Sequence, residues 1–104
     1  MDIKNIPEAI LAAAVKYGDA RRAESEAKLA RDIKVVDLDT LVRNSGEKKP
    51  TEAAIANFIK GHPEMIDAEK SLIDATYALD VARADLERVR AVRDVALSAS
   101  KENV

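Results

Sequence analysis

Met65, Ala68, Leu72, Ala75, Leu79, Ala82, Leu86 and Val89 follow one another at alternating intervals of three and four residues. That spacing is the seam of a coiled coil, and it constrains the fold more than any other feature of the chain. A helix carrying such a strip must lay it against another helix to remove it from water. The large positions are Met or Leu and the alternate ones are Ala, up to Val89 at the end. Small side chains let two helix axes approach near the low end of the usual spacing of about 8–10 Å.

The punctuation of the sequence defines where this helix starts and what it can face. Pro63 suits a first helical turn, and the pattern predicts a helix over 63–99 with a polar tail at 100–104. "NIPEAI" near the N-terminus reads as a second start, with Asn5 or Ile6 at the cap, Pro7 in the first turn and Glu8 at capping-box spacing. From there to Val42 there is no further proline and one glycine, Gly18, which weakens a helix without having to break it. The pattern predicts a helix over 7–42. "RNSGEKKP", Arg43 to Pro50, is a strong break. Thr51 can then cap a short helix over 51–60, with Glu52 in its first turn, Lys60 in its last and Gly61 available for a left-handed exit.

Along the first helix Ile6, Ile10, Ala13, Tyr17 and Ala20 form a regular stripe whose next position is Glu24. The apolar set then moves to Ala23, Ala27, Ala30 and Ile33, which predicts a phase shift in the packing. "IKVVDLDTLV" is β-branched and half alternating, so a strand is the alternative there; it would have no partner strand, and helix is the expectation.

The fold class that follows is all-α: a long antiparallel helical hairpin of coiled-coil type, with a short third helix at the turn, in a single domain over 1–104. Ile66 and Ile73 widen the seam at the turn, where Ile55, Phe58 and Ile59 of the short helix are expected to cover them. At the other end Ile6, Ile10, Leu11 and Val15 are expected opposite Val89, Val92 and Val95, with no third segment to cover them. Uncovered apolar surface of that kind marks a binding site. Ile6, Ile10, Leu11, Val15, Val92 and Val95 are therefore the candidate self-association residues, and a homodimer is expected.

Composition narrows the function by exclusion. Charged residues make up 35 % of the chain and its net charge is −2, so no global field favours nucleic acid or an anionic membrane. There is no cysteine, which removes disulfides and thiolate metal sites. The longest apolar run, Ala9 to Val15, falls far short of the ~20 residues that span a bilayer. The expectation is a cytoplasmic protein with no membrane partner. His62 is the single histidine and sits in "KGHPE" between two helices, where capping is the simpler role. No catalytic residue, metal ligand or cofactor site is expected, and no enzyme. A basic strip is conceivable where Arg21, Arg22 and Arg31 of the first helix come within reach of Arg83, Arg90 and Arg93 of the last. Interleaved acids and the absence of stacking aromatics count against it.

Tyr17 with Ala20, Thr51-Glu52-Ala53, His62-Pro63-Glu64, and the run through Arg90, Arg93 and Leu97 occur in an order that resembles a loose group of small helical bacteriophage proteins. Such proteins often lie near early or recombination genes. The resemblance implies a phage origin, a bacterial host cytoplasm and a non-enzymatic accessory role, and it carries over no site residues. The function expected is a protein–protein interaction module, a phage-encoded adaptor or inhibitor acting on an unidentified host or recombination protein. The alternative is a nucleic-acid-binding recombination accessory.

Overall fold

A computed structural model of the chain describes residues 3–46 and 48–102. A 3-10 turn, Ile3–Asn5, leads into helix α1, Ile6–Arg43. Helix α2 spans Glu52–Gly61 and helix α3 spans Pro63–Glu102. Among the described residues there is no strand, and the β-branched stretch 33–42 is helical. Helix α3 runs three residues past its expected end, through 100–102; the remaining tail residues, 103–104, lie outside the described residues, as does Glu47 in the connector.

The connector ends and restarts helices by ordinary local chemistry. Asn44 N–H donates to the Thr40 carbonyl at 3.2 Å, and the Ser45 hydroxyl donates to the Val42 carbonyl at 2.9 Å, which satisfies two otherwise orphaned helix-end acceptors. Thr51 caps α2, its hydroxyl oxygen accepting the Ala54 N–H at 3.1 Å. The exit from α2 differs from expectation. No described glycine has positive φ, so Gly61 stays helical, and the chain leaves through His62 in an extended conformation (φ −71°, ψ 132°). Pro63 is the cause, because a proline drives the residue before it out of the helical region. His62 thereby joins two helices. Its N–H donates to Ile59 at 3.2 Å, and its Nδ1 accepts the Glu64 N–H at 3.1 Å in the first turn of α3.

The packing gathers into two compact units. The first comprises residues 1–22 and 76–104. Here the start of α1 packs antiparallel against the second half of α3, with Ala13, Leu86 and Val89 at the centre and Ala9, Ile10, Ala14 and Tyr17 around them. Ile6 and Leu79 are buried as well. Small Ala13 packed against Leu86 and Val89 is the arrangement that lets two helices approach closely. Burying each leucine contributes about 1.5–3 kcal/mol.

The second unit comprises Ala23–Ala75. The end of α1 packs antiparallel against the start of α3, and Lys34 pairs with Glu64 at 3.5 Å. Leu38, Ile55, Met65 and Leu72 are its buried residues. Helix α2 presents Ile55 and Ile59 inward, so the short helix does close the turn of the hairpin. Its cover stops short of Ile66 and Ile73, which stay 42 % and 65 % exposed, contrary to expectation.

The phase shift expected in α1 does not occur. Glu24, Ala27, Arg31, Lys34 and Val35 are half-buried and Leu38 is buried, continuing the heptad stripe, while Ala23, Ala30 and Ile33 are exposed. The charged residues on that stripe are half-buried, a position their long aliphatic stems tolerate. Glu24 also holds Lys28 at 3.5 Å.

Candidate interaction faces

Since one stripe of each long helix faces its neighbour, the remaining large apolar residues point elsewhere. In the first unit Tyr77 and Val95 each lie about two and a half turns from buried Leu86, and hence face directly away from it. They are 71 % and 70 % exposed. Val81, Ala84 and Ala91 are exposed on the same side of α3. On α1, Leu11 and Val15 form a second outward face, 66 % and 54 % exposed. In the second unit Leu29, Ile33 and Val36 lie at i, i+4 and i+7 on the outward side of α1, and Ile66 and Ile73 on that of α3. Both long helices therefore carry large apolar residues on the side away from their seam.

The candidate self-association residues divide accordingly. Ile6 is buried in the hairpin and offers no surface. Ile10 and Val92 are half-buried. Leu11, Val15 and Val95 are exposed, but Leu11 and Val15 look outward from α1 whereas Val95 looks outward from α3. They form two faces rather than one patch. A groove of about 440 Å³ lies between the helices at this end, lined by Ile6, Pro7, Ile10, Arg93, Ala96 and Leu97. The signal for the outward faces was present in the sequence as a second three-four spacing, half a turn away from the seam.

Of the six arginines of the candidate basic strip, Arg31 belongs to the second unit and the other five to the first. Arg21 and Arg83 both reach Tyr17: their guanidinium carbons stand 5.8 and 5.9 Å from its ring centroid. A hydrogen bond with Tyr17 holds the Arg83 guanidinium above its ordinary pKa, and Asp80 pairs with it at 3.6 Å. Arg31 is bound to Asp32 at 3.1 Å, and Arg93 to Asp94 at 3.0 Å. Arg22 and Arg90 are exposed. At the other end Arg43 bridges Asp39 of its own helix and Glu52 at the start of α2, with 3.1 Å to each Glu52 oxygen. Hydrogen bonds to Asp39 and Glu52 raise its pKa above the ordinary value.

Among the described residues no group of three or more His, Cys, Asp or Glu is placed to hold a metal ion. No helix among them is long and apolar enough to cross a membrane. No family model matches the chain, and no curated protein or solved structure matches it.

Proposed function

We propose that this chain is a non-enzymatic helical module that acts by binding protein, itself or another chain, through the outward apolar faces of α1 and α3. The observation that carries the reading is the double-faced pattern of both helices. A hairpin needs one apolar stripe per helix, and a second stripe on the opposite side costs solubility unless something covers it. Side chains such as Leu29, Ile33 and Val36 at i, i+4 and i+7 match the anchor spacing of helix-to-helix recognition. Within this reading the resemblance to small phage proteins supports an accessory role, as an adaptor or inhibitor of a host or recombination protein in a bacterial cytoplasm.

Sedimentation velocity from micromolar to millimolar concentration, together with pull-down from bacterial lysate, tests it. The chain is expected to associate with itself or to hold one protein in stoichiometric amount, and Ile33→Glu or Val81→Glu to abolish that binding without loss of helicity. A monomer at every concentration that captures nothing sensitive to these substitutions would overturn the reading.

A second reading is a nucleic-acid accessory protein, favoured by Arg21 and Arg83 both reaching Tyr17. Gel shifts with single- and double-stranded DNA at low and moderate salt decide it. Retardation at low salt that Arg21→Ala with Arg83→Ala removes would support it, and no retardation at low salt would eliminate it.

A further inference from the structure

We propose that the outward face of α3 in the first unit pairs with the same face of a second copy of this chain, antiparallel, about a two-fold axis level with Leu86. This rests on the interaction reading above and adds to it the partner, the surface and the register.

The face consists of Tyr77, Val81, Ala84, Arg88, Ala91 and Val95, all exposed. Their intervals are four, three, four, three and four, which read the same in both directions. A two-fold perpendicular to the helices sets residue i of one copy against j of the other and j against i, and this spacing meets that condition. Antiparallel pairing about Leu86 sets Tyr77 against Val95 of the second copy, Val81 against its Ala91, and Ala84 against its Arg88. Large residues then fall at the two ends of the contact, and Ala84 with Arg88 flanks its middle.

Charge selects this orientation over the parallel one. Arg88 lies on the seam itself. A parallel, in-register pair would stack Arg88 on Arg88, which like-charge repulsion opposes. In the antiparallel pair Arg88 crosses Ala84, a small residue, and its guanidinium arrives beside Asp85 of the second copy. Arg88 now donates to Asp85 of its own chain at 2.9 Å, so the two pairs can exchange partners reciprocally with no charge left unmatched. On the other flank Asp80 pairs with Arg83 and Asp94 with Arg93 within the chain, and exposed Glu87 stands between them.

The chain lacks cysteine, so engineered thiols report without background. Tyr77→Cys combined with Val95→Cys is expected to give a covalent dimer under mild oxidation, while each single variant stays monomeric on a non-reducing gel. Within one chain the two thiols are about 27 Å apart along the helix and cannot join. A second arm needs no oxidation. Arg88→Asp should weaken the dimer about tenfold in sedimentation equilibrium, and adding Asp85→Arg should restore it. Circular dichroism confirms that each variant remains helical; the substituted positions other than half-buried Asp85 are exposed.

Dimerisation with the single cysteine variants cross-linking, or with the double variant not cross-linking, would overturn this register and leave the interaction reading standing. A monomer at every concentration would overturn self-pairing, and the lysate experiment would then decide the interaction reading alone.

Discussion

His62 accepts the backbone N–H of Glu64 through Nδ1 at 3.1 Å. One side chain thus satisfies a donor in the first turn of α3, a position usually served by Ser, Thr, Asn or Asp. His62→Ala is expected to cost about 1 kcal/mol in urea denaturation, and His62→Asn to recover most of it, since Asn supplies the same acceptor. Equal stability of all three proteins would refute the capping role.

The central contact of the first unit joins Ala13 to Leu86 and Val89. Enlarging the small partner should hurt as surely as shrinking the large one. Ala13→Leu is expected to destabilise by about 1–3 kcal/mol through overpacking, and Leu86→Ala by about 2–5 kcal/mol through lost burial and a cavity. Chemical denaturation followed by circular dichroism measures both. A stabilising Ala13→Leu would mean the helices are not in close contact there.

Gly18 and Gly61 are both helical, and an added Cβ would meet nothing within 4 Å at either. Neither has the positive φ that only glycine adopts cheaply. Gly18→Ala and Gly61→Ala are each expected to stabilise the chain by up to about 1 kcal/mol. Gly61→Ala is the sharper test, because a left-handed exit from α2 would turn the gain into a loss.

Ile33 is 52 % exposed on the outward side of α1. Ile33→Glu at a protein concentration too low for association should therefore change unfolding free energy by no more than about 0.5 kcal/mol. A loss of several kcal/mol would place Ile33 inside the hairpin, on the phase-shifted stripe that its sequence spacing suggests.

The hairpin was legible because its signals were local and strong: the Met65–Val89 seam, the break around Gly46 and Pro50, the Thr51 cap and Pro63. The inward face of α1 beyond Ala20 was not. There hydropathy points to Ala23, Ala30 and Ile33, whereas the helix geometry turns Glu24, Arg31 and Lys34 inward. A long charged side chain is partly a hydrocarbon, and residue type alone hides that. Gly61 misled for a related reason: composition offered a left-handed exit, and the neighbouring Pro63 decided the matter sterically. Of the candidate site, Leu11, Val15 and Val95 were found at the surface, while Ile6 was spent on the core. That Arg21 and Arg83 both reach Tyr17 could not be read without the helix register, because they come from two different helices.

The packing of Ala13 against Leu86 and Val89 has a consequence for how sequences of this kind can drift. A bulkier residue at position 13 is admissible only where position 86 or 89 has shrunk. Any relative of this chain should therefore trade volume between partners at those sites, holding their sum nearly constant while either member varies widely.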